Sequence, residues 1–132
     1  MPRPVILGTL VGLCLVAAES AGAQTPAPPL KIGQTIKGPS LVDEADMTLY
    51  VFANDTRGKS ACNDQCARNW PPLEAKVAAV AIGDYAPITR DDGSKQWAFK
   101  GRALYRFARD QAPGDIKGDG LLNGAWSIAK PK

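Results

Sequence analysis

Histidine is absent from all 132 residues. That absence removes the usual general base, the usual zinc and copper ligand, and the common proximal haem ligand. No Ser-His-Asp or Cys-His catalyst can be assembled within this chain. Cysteine is scarce: Cys14, Cys62 and Cys66 are the complete set. Charge of one sign is lacking too, since 16 bases stand against 13 acids for a net charge of +3. So small a surplus bears on solubility and leaves no nucleic-acid footprint. The longest apolar stretch, Val5 to Ala18, falls short of the ~18 or more residues of a spanning helix.

That apolar stretch has another reading. Arg3 precedes it, and Ala21-Gly22-Ala23 follows it as an A-x-A cleavage signature. Together these make the three parts of a secretory signal peptide, residues 1–23. Cys14 is a poor lipid-attachment site, because bulky Leu13 precedes it and the apolar run continues past it, so lipid anchoring is not expected. Residues 24–30, opening "QTPAPP", form a Pro-rich tether. Residues 31–132 then make one small domain with no transmembrane span, placed in the periplasm or outside the cell. An exported chain meets an oxidising compartment, so the remaining pair Cys62 and Cys66 reads most simply as a disulfide.

From Lys31 onward, glycine and proline punctuate the chain into short runs such as "LKIGQTI", "TLYVFA", "KQWAFK" and "AWSIAK". Short runs rich in aromatic and β-branched residues between such marks read as strands. "QWAFKGRALYRF" predicts a hairpin turning around Lys100-Gly101-Arg102. Ala61 to Asn69 predicts a short helix, capped by Ser60 and stopped by Trp70-Pro71-Pro72. "EAKVAAVAIG" at 74–83 reads as either helix or strand.

The phrase "LYVFAND" at 49–55 returns as "LYRFARD" at 104–110. Tyr50 falls over Tyr105, Phe52 over Phe107 and Asp55 over Asp110; farther on, Trp70 falls over Trp126 with one residue inserted. The domain is therefore expected to be mainly β, built from two related hairpin-containing repeats with one short disulfide-bearing helix. Alternation along a strand puts Tyr50 and Phe52 on one face, predicted to be core, with Leu49, Val51 and Ala53 on a partly exposed face. Asp55-Thr56-Arg57-Gly58 has the residue preference of a type I turn. Asp55 and Asp110 are each expected to accept backbone N–H bonds in the turn that follows.

These features, "LYVFANDTRGKSACNDQCARNWPPL" with "ITRDDGSKQWAFKGRALYRFARDQAPGDIKGDG" and a closing Trp126, resemble a bacterial secreted-repeat family. That family is described as predicted lipoproteins with a Y-x-[FWY]-x-x-D motif, and the resemblance spans about residues 40–130. It implies export or attachment to the envelope and carries no biochemical activity with it. Many members have a clear lipid-attachment cysteine, which Cys14 does not match.

Three constellations could carry chemistry. Cys62 and Cys66, four apart, would lie on one helix face with Cα atoms about 6 Å apart, within disulfide reach; reduced, such a thiol pair would suit Cu(I) or redox work. Asp110, Asp115 and Asp119 lie on a glycine-rich loop that could offer oxygens to calcium, without the spacing of an EF-hand. The acid pairs Asp43/Glu44/Asp46 and Asp91/Asp92 could suggest a glycosidase, yet both sit in predicted turns. Trp97, Phe99 and Trp126 could line a ligand groove or fill a core. The expectation is a non-catalytic exported module, with no metal or other cofactor, that binds an envelope component or a partner protein. The alternative is an envelope redox or copper-handling protein that uses Cys62 and Cys66.

Overall fold

The structure, a computed structural model, describes residues 27–132 together with 2–5, 8 and 11–14. The cleavage signature at Ala21–Ala23 and residues 24–26 of the tether lie outside the described residues. Among the described residues no helix is long and apolar enough to cross a membrane, and Cys14 is an exposed free thiol.

The chain runs through two similar halves. The first contains the hairpin β1 (Leu30–Thr35) and β2 (Gly38–Asp43), the short strand β3 (Tyr50–Phe52) and a helix α1 (Gln65–Asn69). The second contains the hairpin β4 (Tyr85–Thr89) and β5 (Lys95–Phe99), then β6 (Arg102–Ala103) and a closing strand β7 (Trp126–Ile128). Between β6 and β7 lies a single turn over Leu121–Gly124. The mainly β expectation is met, as is the turn between β5 and β6. There Phe99 pairs with Arg102 across Lys100-Gly101, both at positive φ (50° and 81°), as a type I′ hairpin turn requires.

The halves do not fold side by side; they exchange their closing segments. β7 of the second half pairs antiparallel with β3 of the first, Tyr50 opposite Ile128 and Phe52 opposite Trp126. The closing segment of the first half pairs with the second in the same way: Leu73 N–H donates to Leu104 O (2.9 Å) and Arg106 N–H to Pro71 O (2.7 Å). Tyr50 and Tyr105 face each other at the centre and exchange both backbone bonds, at 2.8 and 3.0 Å. Other bonds recur in matched pairs, such as Leu41 N–H to Ala129 O (2.7 Å) and Trp97 N–H to Leu73 O (2.8 Å). A pseudo-twofold axis therefore passes between the two tyrosines, and each half supplies a strand that the other lacks.

Two cores result. The first gathers Tyr50, Phe52, Trp70, Tyr105, Phe107 and Trp126; each such ring removes about 150–250 Å² from water. The second gathers Leu41, Leu49, Leu73, Trp97, Phe99 and Leu104, with Val51 packed at its edge. Leu49 is fully buried, which corrects the expectation of a partly exposed second face. The back of the strand is covered because Leu41 and Trp97, on the hairpins, bond to the exchanged segments at Ala129 and Leu73.

The helix is also shorter than expected, beginning at Gln65 after Asp64, which sits at φ 53° and makes no side-chain cap. Ser60 lies outside it; its hydroxyl bonds to Tyr105 and accepts Cys62 N–H instead. Trp70 ends the helix with its N–H on Cys66 O, as the prolines that follow demand. Residues 74–83 form neither helix nor strand: Glu74 and Ile82 make isolated bridges, while Val77 and Val80 face solvent.

Candidate functional site

The repeated phrase reads across the pseudo-twofold axis. The buried Tyr50 hydroxyl donates to Asp110 Oδ2 at 2.6 Å, and the buried Tyr105 hydroxyl donates to Asp55 Oδ2 at 2.7 Å. Each tyrosine thus finds the aspartate of the other copy. The second carboxylate oxygens accept backbone N–H groups, Asp55 from Ala61 (2.7 Å) and Asp110 from Lys117 (3.0 Å). The backbone acceptor role holds, but the donors lie at the far end of a loop and not in the next turn. The tight turn itself falls one residue later than predicted, with Lys59 N–H donating to Thr56 O (3.0 Å).

Burial pushes both tyrosine hydroxyls far above their ordinary range, and the facing carboxylates add to the effect, so they remain protonated donors. Burial also raises Asp55 and Asp110, opposed by the hydrogen bonds they accept. Neither pair is a nucleophile or an exposed acid: these are latches that tie the halves together.

Around the Tyr105 latch lies a polar network that sequence reasoning missed. The buried Arg90 guanidinium donates to Ser60 Oγ (3.1 Å), Gln96 Oε1 (2.6 Å) and Cys62 O. Gln96 in turn donates to Leu104 O at 2.7 Å. A buried arginine bonded mainly to neutral groups leaves no sequence pattern, because its partners come from separate segments. Around the Tyr50 latch, Gly118 N–H donates to the hydroxyl at 3.3 Å. A Cβ at Gly118 would lie 2.5 Å from Trp70 and 3.1 Å from Phe107, so glycine is needed for backbone to touch the rings.

Those rings form the floor of a cleft. Phe52, Trp126, Trp70 and Phe107 stack in that order, with ring centroids 4.2, 3.7 and 4.3 Å apart. Tyr50 and Tyr105 buttress the stack edge-on, at 5.3 Å from Trp70 and 5.1 Å from Trp126. The cleft there has a volume of about 360 Å³ and is also lined by Cys66, Asn69, Arg109, Leu121 and Leu122. Leu122, Asn123 and Gly124 are all left-handed, at φ 56°, 55° and 83°. Asn-Gly favours that conformation, but leucine in it costs about 1–2 kcal/mol. The turn holds Leu122 out at the cleft edge, 66% exposed.

Cys62 and Cys66 are joined as a disulfide, Cα atoms 5.2 Å apart, with Cys62 buried and Cys66 at the cleft. The three loop aspartates are not brought together. Asp110 serves the Tyr50 latch, Asp115 accepts the N–H groups of Gln111 (2.9 Å) and Ala112 (3.0 Å), and Asp119 pairs with Lys37 and accepts Ile128 N–H (3.0 Å). Among the described residues no group of three Cys, Asp or Glu side chains is arranged to hold a metal ion. Asp43 and Asp92 accept backbone N–H groups of their own turns, and Asp91 pairs with Lys59. Trp97 and Phe99 lie in the second core, apart from Trp126 in the first.

No curated protein and no solved structure matches this chain. Residues 31–74 and 86–130 each match a family described as a secreted repeat of unknown function. The two matched stretches coincide with the two halves that exchange closing strands, and together they cover most of the chain. The chain therefore belongs to the family of secreted repeats of unknown function.

Proposed function

We propose that this protein is a non-catalytic exported module, released from a signal peptide at residues 1–23, that binds an envelope component in the cleft over the aromatic stack. The cleft carries the reading. Its volume of about 360 Å³ falls in the range of small-ligand sites, and its rim spends backbone strain at Leu122 on keeping an apolar side chain exposed. Arg109 beside it is exposed and joins no ion pair among the described residues. An occupant with a flat apolar group next to an acidic one fits both features.

An anilinonaphthalene sulfonate probe has that chemistry. Its fluorescence should rise on binding the native protein and fall back in Leu122→Asp and Arg109→Gln, at melting temperatures no lower than that of wild type. Equal enhancement by both variants would remove the cleft as the site.

The second reading, envelope redox or copper handling, draws on Cys66 lining the same cleft. Thiol titration of the native exported protein separates the two. No reactive thiol beyond any retained Cys14 favours the binding module, and two further reactive thiols favour redox or copper work.

A further inference from the structure

The exchanged ribbon β3–β7 has a second face. Phe52 and Trp126 point into the aromatic cleft, so alternation sends Val51 and Ser127 to the opposite side. There they line a separate groove of about 500 Å³. Cations reach it from three distant segments: Lys37 from the β1–β2 turn, Lys100 from the β5–β6 turn with Arg102 at the start of β6, and Lys130 and Lys132 from beyond β7. Asp119 is the acid among its lining residues, and it is already engaged by Lys37 and by Ile128 N–H. Five cations against one carboxylate leave a surplus of four at this groove, in a chain whose whole balance is +3. Folding has concentrated the positive charge here; the composition alone does not reveal it.

Two further observations separate this groove from a scatter of surface lysines. Lys100, Arg102, Lys130 and Lys132 are exposed and join no ion pair among the described residues. Lys100 also stands at φ 50°, as the first residue of a two-residue turn, where asparagine, aspartate or glycine is the low-strain choice. A lysine kept in that position, with its ammonium 5.3 Å above the Phe99 ring, is held at the groove against a conformational cost.

We propose that this groove binds a phosphate-bearing ligand with two or more negative charges. Phosphate oxygens accept hydrogen bonds from several directions, which suits donors arriving from three segments. Arg102 offers a planar fork and the lysines offer point charges. A concave site suits a compact headgroup better than a flat membrane. The phosphate could belong to an envelope lipid headgroup or to a soluble oligophosphate. The proposal is independent of the aromatic cleft, which lies across the ribbon.

The test uses the whole exported protein and two probes. One is inorganic tripolyphosphate, followed by calorimetry; the other is vesicles of cardiolipin, whose headgroup carries two phosphates, mixed with phosphatidylcholine, followed by co-sedimentation against pure phosphatidylcholine. At low ionic strength at least one probe should bind. The affinity should fall with added salt and should drop about tenfold or more in Lys100→Gln/Arg102→Gln. Lys59→Gln, which removes a cation paired with Asp91 outside the groove, should bind like wild type. Binding to tripolyphosphate identifies a soluble source, and binding to the anionic vesicles alone identifies a headgroup. Failure of both probes overturns the proposal. So does an equal loss in Lys59→Gln, which would show diffuse charge and no site. Melting temperatures of the variants, all at exposed positions, confirm that they are folded.

Discussion

The crossed Tyr–Asp latches predict a pattern of energetic coupling that no within-repeat reading shares. Tyr50→Phe removes the hydroxyl that donates to Asp110 at 2.6 Å. A hydrogen bond to a charged group contributes about 1.5–3 kcal/mol, but Asp110 is half-buried and water can replace part of the loss, so about 1–2 kcal/mol is expected. Asp110→Ala is worse, at about 2–3 kcal/mol, because it strands the fully buried Tyr50 hydroxyl. Made together, the two changes should cost less than their sum by about 1–2 kcal/mol, since each removes the same bond. The Tyr105–Asp55 pair should behave alike. Tyr50 with Asp55, neighbours in sequence but joined by no hydrogen bond, should be additive within about 0.5 kcal/mol. Urea unfolding of each single and double variant, with unchanged m-values, measures these terms. Coupling between Tyr50 and Asp55, with none between Tyr50 and Asp110, would refute the exchanged arrangement.

Further outcomes follow from single positions. Gly118→Ala should destabilise by about 1–3 kcal/mol in thermal or urea unfolding, because the new Cβ meets stacked rings that cannot swing away. Breaking the disulfide with Cys62→Ser/Cys66→Ser should cost about 2 kcal/mol, the small-loop value of the chain-entropy account, measurable as a lower urea midpoint than the oxidised protein. Asp55 and Asp110 have folded pKa values raised above 3.8, chiefly by burial. Their contribution is therefore full below the unfolded value and is lost as pH rises through the folded one. The stability of wild type minus Asp55→Asn should accordingly fall as pH rises above 3.8, and a rise in that direction would reverse the sign. Asp91, held low first by its bond from Lys59, acts oppositely: stability tied to it is lost as pH falls below 3.8.

Much of the architecture is legible in residue types, because some local rules have few solutions. Lys100-Gly101 between two aromatic runs makes a two-residue hairpin turn, since glycine supplies the second positive φ. Trp70-Pro71-Pro72 must end a helix. The doubled Y-x-F-x-x-D phrase marks two copies of one unit, and the pair Cys62 and Cys66 in an exported chain reads as the bond that the structure contains. The helix start was not legible: Ser60 has the chemistry of a cap, but the Tyr105 hydroxyl, from the other copy, competes for it.

What the tertiary structure alone decided is which copy serves which. The aspartates were legible as acceptors of backbone N–H groups, but a repeated phrase does not say whether Tyr50 meets Asp55 or Asp110. That choice rests on β7 leaving its own half to pair with β3, an interaction between residues more than seventy positions apart. The same exchange stacks Trp70 on Trp126 and so builds the cleft floor. It also carries Lys130 to the groove that Lys100 and Arg102 line, so that a chain of nearly balanced charge presents a cationic site. Short-range propensity acts over a few residues, whereas these sites are made by contacts between the halves. The sequence determined the repeated units and their turns; only the fold determined how they interlock.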